Sequence, residues 1–396
     1  MTKKDVTIFY GLILAIYSIG FVPMSAFSSL YLLDAGFSNG NVGVLLAVGS
    51  LLSVALQPVV GILIDKNKRF TSKKLLLIMG ILIVLLGILL ISIPNKSFLT
   101  NALIYGTLIM LLMLGQPFMN SLGIESINNG YYINLGRGRS IGSLGYAVGS
   151  FGFGMISVMA GPKSVPISFS LAFFIFLILL YLYPDGDDDI KSIADKKIEM
   201  GNPFLFLTKY KRFSVILFGL IFIYFSHSLI NVFALQIVIP KGGTSGDMGT
   251  ASAIAAGCEL VTAFIFTWYL SKIKLSNIIK ISGIFFILKT LFSLLTATVP
   301  QFLLIQGFQM FGWGFLSVGI VYYVNELVGQ EDIAQGQAYA GMAMTIANVL
   351  ATSIGGNIID IFGVNRMLIV GTMAAVLGTI ILFISVKDIK RGLGYS

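Results

Sequence analysis

Long apolar runs constrain this chain more than any other feature. Leu75 to Pro94 and Ile167 to Tyr183 each contain no Asp, Glu, Lys or Arg, and about 20 apolar residues in helical form cross the hydrocarbon core of a bilayer. The other structure able to span a bilayer, a closed β-barrel, is built from shorter segments of alternating polarity. Counting runs of this length gives twelve segments, at roughly 6–33, 40–64, 73–94, 98–127, 139–160, 163–183, 211–239, 248–271, 275–297, 299–327, 334–362 and 365–387. Several exceed the minimum, which implies tilt, and the fourth and tenth are interrupted by Gly and polar residues. Charged residues make up 11% of the 396 and hydrophobic ones 56%, with a mean hydropathy of +0.92. A soluble domain carries about 25% charge, so this chain cannot cover itself with polar surface. The expected fold class is an all-α membrane protein of twelve transmembrane helices.

Other classes fall away on residue inventory. Cys258 is the single cysteine and His227 the single histidine, so neither an internal disulfide nor a Cys/His metal site is expected. Met1 to Val6 runs directly into apolar sequence without a small-residue cleavage site, and reads as the start of a retained span. No nucleotide-binding loop or pair of catalytic carboxylates stands out, so no enzyme and no cofactor are expected. The net charge of +9 does not point to nucleic acid, because the cations sit in short connections without interleaved aromatics. With the N-terminus inside, the inner connections hold twenty cations and the outer ones only Lys96, Lys163, Lys241 and Arg366. That asymmetry predicts both termini in the cytoplasm of a bacterial plasma membrane. The longest polar stretch, Pro184 to Tyr210, contains Asp185, Asp187, Asp188 and Asp189 and reads as a solvated tether. It divides the chain into a first six-helix bundle at 1–183, a linker at 184–210 and a second bundle at 211–396.

The connection after the second run reads Gly61-Ile-Leu-Ile-Asp65-Lys66-Asn-Lys68-Arg69, preceded by Gln57-Pro58. With the six-plus-six layout, this resembles the major facilitator superfamily, which implies the major facilitator fold. The resemblance implies a conformational switch at Gly61, Asp65, Lys66 and Arg69, in which charge contacts hold one state and break in the other; the same cations also serve to retain the loop inside. Further blocks are Phe37 to Gly43, Gly136-Arg137-Gly-Arg139, Gly142-Ser-Leu-Gly145-Tyr146, Gly257-Cys258-Glu259-Leu260 and Gln309-Met310-Phe311. Together they resemble the lactose permease type of oligosaccharide and proton symporter over most of the chain. The resemblance implies that Arg139 grips sugar hydroxyls, that Tyr146 takes the place of a sugar-stacking tryptophan, and that Glu259 serves both sugar recognition and proton coupling. Lys289 stands where such permeases have an arginine, keeping the charge without the planar fork. The departures are as informative. Gln309 replaces the coupling histidine, Gly312 the proton-accepting glutamate, and Asn120 an acid that pairs with the fifth-span arginine.

Independently of family, an ionisable residue within a bilayer costs about 2.5–3.5 kcal/mol on insertion scales and marks a pathway by default. Arg139, Glu259 and Lys289 are expected there, Glu259 as the leading proton carrier; Glu125 is a weaker candidate near a span end. His227, Asn231 and, more loosely, Gln236 fall near one helical face, as hydroxyl-binding groups or as interhelical packing bonds. Phe21, Phe27, Tyr31, Phe308, Phe311 and Trp313 are candidate stacking faces. The expected function is alternating-access transport of a small hydrophilic solute, a sugar or glycoside, with the proton as coupling ion. An exporter of drugs or glycolipids and an uncoupled sugar facilitator are the alternatives. A monomer is what the resemblance implies.

Overall fold

The structure, a computed structural model, describes residues 4–66, 71–93, 97–184 and 203–388. Among these residues, twelve helical segments are long and apolar enough to cross a membrane. They are α1 (Thr7–Ala26), α2 (Asn39–Lys66), α3 (Ser72–Ser92), α4 (Phe98–Asn128), α5 (Leu135–Ala160), α6 (Ser164–Leu182), α7 (Lys211–Val232), α8 (Ser245–Lys272), α9 (Leu275–Leu295), α10 (Val299–Leu327), α11 (Ile333–Phe362) and α12 (Val364–Ser385). The chain is a multi-pass membrane protein.

Side chains at the helix starts supply bonds that a first turn leaves unmade. Thr71 accepts from the Lys74 amide at 3.3 Å, Ser97 from Thr100 at 3.1 Å, and Asn134 from Arg137 at 3.0 Å. Thr298 and Gln301 form a reciprocal capping box at the head of α10. Helical geometry is interrupted within three of the runs, the tenth among them, where Gly and polar residues point to a break. In α1, Pro23 has no amide hydrogen, and the turn widens to π geometry over Val22–Ala26, with Phe27 N donating to Val22 O at 3.2 Å. The seventh run ends its helix at Val232, bends at Phe233 and resumes over Ala234–Val238. The tenth tightens to a 3-10 stretch over Gln306–Met310 before Trp313–Leu327.

The helices fall into two compact units, Met1–Asp195 with Thr244–Ala253, and Lys196–Gly243 with Ile254–Ser396. The first turns of α8 thus belong with the first unit and its remainder with the second. Within the first unit, α1 packs on α5 and α6, α3 on α4 and α6, and α2 on α4. Within the second, α7 packs on α11 and α12, and α9 on α10 and α12. The two units therefore repeat one packing plan, each with its leading helix against its last two. The α1–α5 contact needs a residue without a side chain, because a Cβ on Gly145 would sit 2.6 Å from the Ala15 backbone. Hydroxyl bonds to backbone oxygens reinforce the first unit: Tyr10 to Met119 O (3.1 Å), Tyr17 to Leu112 O (2.5 Å) and Tyr105 to Met24 O (2.8 Å). In the second, Arg212 at the head of α7 donates to Ser385 O (2.7 Å), Lys387 O (2.9 Å) and the Tyr323 hydroxyl (2.6 Å), closing the C-terminal end of α12.

Candidate functional site

Polar side chains collect in the core of the second unit where α7, α8, α9 and α10 contribute residues. Lys289 lies on the buried face of α9 and is 2% exposed. Its Nζ donates to Gln309 Oε1 at 2.6 Å. Gln309 comes from the 3-10 stretch of α10 and is itself buried. Among the described residues no carboxylate reaches ion-pair distance of Lys289. Glu259 lies in the middle of α8 and is half-buried.

His227 adjoins this group on α7. Its ring stacks on Trp313 with centroids 4.5 Å apart and planes 7° apart, and meets the edge of Phe286 at 5.5 Å. Its Nε2 is 2.8 Å from the Asn231 amide nitrogen. The neighbouring Ser226 and Thr290 hydroxyls bond at 2.8 Å, tying α7 to α9. Of the seventh-run stripe, His227 and Asn231 are therefore brought together, while Gln236 lies beyond the bend at Phe233. Two pairings escape a reading of the sequence, His227 with Trp313 and Lys289 with Gln309.

The expected sites of the first unit are arranged differently. Arg139 is in the second turn of α5, about 6 Å from its start at 1.5 Å per residue, and is exposed. The helix begins at Leu135, four residues before the expected start of the run, so Arg139 lies one turn inside α5. Its Nη2 donates to Asn120 Oδ1 at 3.2 Å. Tyr146 is two turns further along α5, half-buried, its ring 6.4 Å from Phe21. Arg139 and Tyr146 thus sit on α5 of one unit, and Glu259 belongs to the other.

Other candidates are engaged in capping and packing contacts. Glu125 accepts from the Ser72 hydroxyl at 2.5 Å and from the Ser72 amide at 3.2 Å, so it caps α3. Tyr31 is buried, bonds Asn101 at 3.2 Å and stacks on Tyr105. Phe27 is fully buried against Phe153. Of the switch residues, Gly61 lies on α2 with no atom within 4 Å of a built Cβ, so packing does not require glycine there. The side chains of Asp65 and Lys66, and all of Arg69, lie outside the described residues. Among the described residues, no cluster of metal-ligating side chains occurs.

Twelve apolar helices in two repeated units, with ionisable and amide residues sunk into one of them, define the class: a transporter-type membrane fold. Residues 6–370 match the MFS_1 like family, and the chain belongs to that family. No curated protein sequence matches it. Solved structures share the fold at low identity. The nucleoside transporter NupG is 14% identical with a TM-score of 0.79, covering 96% of this chain and 97% of that one. A mutant of the peptide transporter POT is 14% identical with a TM-score of 0.69, over 95% of this chain and 93% of its own. A bacterial homologue of the human lysosomal transporter Spinster, in an inward-facing and occupied conformation, is 13% identical with a TM-score of 0.68, over 95% and 96%.

Proposed function

We propose that this protein is a secondary transporter that carries a sugar or small glycoside across a bacterial plasma membrane by alternating access, with protons as the coupling ion. The observation that carries the reading is the polar group at the tightened stretch of α10. Lys289, Gln309, His227 and Glu259 have no reason to be sunk among apolar helices unless they meet a polar solute or one another. Two amides, a carboxylate, a cation and an indole face are suited to a solute with hydroxyls on its rim and an apolar ring face. The resemblance to lactose permease-type symporters supports the same reading, with Glu259 as proton carrier, Lys289 adjusting it, and Arg139, Asn120 and Tyr146 contributing from the first unit. The loop from Gly61 to Arg69 is assigned the conformational switch, the cation asymmetry puts both termini in the cytoplasm, and a monomer suffices.

Uptake of radiolabelled mono- and disaccharides into proteoliposomes, with and without an inward proton gradient, tests this. Gradient-driven accumulation lost in Arg139→Ala, and reduced to exchange alone in Glu259→Gln, is the expected result. Uphill accumulation unchanged in Glu259→Gln removes the proton-carrier role, and equilibration indifferent to the gradient means a facilitator. Absence of sugar flux moves the assignment to export of an amphipathic or glycolipid solute. A nucleoside is the second reading, favoured by the parallel His227–Trp313 pair, which offers a planar face for a base, and by the fold shared with a nucleoside transporter; labelled uridine and adenosine belong in the same panel.

A further inference from the structure

We propose that the transported solute is an anion, a sugar acid whose carboxylate is received by Lys289 and His227; this rests on the reading above that the cluster binds a hydroxylated solute. Lys289 has three ammonium hydrogens. The acceptor that the structure gives it is the neutral amide oxygen of Gln309, at 2.6 Å. Glu259, on α8, does not reach ion-pair distance of Lys289. A cation so deeply buried without an adjoining anion is costly, and an arriving carboxylate relieves that cost through a charge-assisted bond.

A second donor points the same way. With the Asn231 amide nitrogen 2.8 Å from Nε2, Nε2 accepts and Nδ1 keeps the ring proton. Nδ1 is buried with no hydrogen-bond partner among the described residues, in a side chain only 7% exposed. His227 meets the edge of Phe286 on α9, and its neighbour Ser226 bonds Thr290, the residue after Lys289. Two buried donors, one of them charged, thus lie on packed turns of α7 and α9, and among the described residues neither is bonded to a carboxylate. A neutral sugar would leave the ammonium charge uncompensated, whereas a carboxylate accepts from both. Trp313, half-buried and occupied by His227 on one face, and the exposed amide of Asn231 remain for the ring and hydroxyls. The competing account is that Lys289 and Glu259 balance each other at longer range and bind nothing.

The test compares glucuronate and galacturonate with glucose and galactose in proteoliposomes, for the unaltered protein, Lys289→Met and Lys289→Arg. Uronate uptake about tenfold or more above that of the matching neutral sugar, lost in Lys289→Met and partly kept in Lys289→Arg, is expected. A second measurement avoids the lysine variants. The chain has two tryptophans, and Trp268 is 58% exposed, so Trp268→Phe leaves Trp313 as the sole indole. Its emission should respond to uronates and not to neutral sugars. Neutral sugars carried as well as uronates, with uptake indifferent to Lys289→Met, overturn the anion while leaving sugar transport standing. If neither flux nor emission responds to any sugar or uronate, both readings fall. Where Lys289→Met fails to fold by size-exclusion chromatography, the Trp313 titration decides alone.

Discussion

Replacing Gln309 with leucine roughly keeps the side-chain volume and removes the acceptor from Lys289 Nζ. A buried charged donor left unsatisfied costs about 1–3 kcal/mol, so Gln309→Leu should lower the apparent melting temperature in detergent. Lys289→Met combined with Gln309→Leu should recover much of that loss, because the unpaired charge leaves with its partner. Additive losses in the double variant would show that the two side chains do not act as a pair. A second residue-scale expectation concerns Lys274, ahead of α9, and Asp388, after α12, which pair at 2.7 Å with side chains 71% and 53% exposed. The Asp388 carboxyl is held below its ordinary 3.8 by bonds from Lys274 and Ser276, and the Lys274 ammonium above its ordinary 10.5 by Asp388. The acid's contribution is present above 3.8 and fades as pH falls through its lowered value. The lysine's is complete below 10.5 and fades as pH climbs through its raised value. Asp388→Asn should therefore lower thermal stability by a small, constant amount between about pH 5 and 9, and less so in high salt, which screens exposed pairs. A deficit that changes across that range would assign the effect to another group.

Elements differ in how far they can be read in advance. A Cβ on Gly249, in the first turns of α8, would lie 2.3 Å from the Ser150 carbonyl oxygen of α5, whereas one on Gly257 of the same helix meets no atom within 4 Å. Gly249→Ala should cost about 1–3 kcal/mol by forcing backbone apart, and Gly257→Ala should be neutral or slightly stabilising, since alanine is the better helix former by about 1 kcal/mol. Equal melting temperatures for the two variants would show that α5 and α8 yield at no cost. The twelve runs are legible because hydrophobic length alone selects them, and Thr71, Ser97, Asn134 and Thr298 announce their starts through side-chain oxygens. The interruptions are harder. Gln306–Met310 differs from ordinary helix only in its bonding, and the bend at Phe233 has no proline to announce it. The start of α5 is misread from sequence by four residues, because it falls among Leu135, Gly136 and Gly138, where hydropathy gives no edge. His227 and Asn231 are readable as neighbours from their spacing, but Lys289 and Gln309 are 20 residues apart, and only folding joins them.

At the scale of the whole molecule, the two units share a packing plan and divide the polar load unequally. Past Lys74, α3 carries no ionisable side chain, while its counterpart α9 carries Lys280 and Lys289. Along α1 the first unit has tyrosine hydroxyls bonded to backbone; α7 has His227 and Asn231. A repeated scaffold whose α1 and α3 carry no Asp, Glu, Lys, Arg or His at mid-span asks only for shape from the mid-span positions of those two helices. In a saturating mutational survey, mid-span positions of α1 and α3 should therefore accept any apolar residue of fitting size, whereas those of α7, α9 and α10 should each admit one or two side chains. The tolerance map of this protein would then be lopsided where its architecture is symmetric.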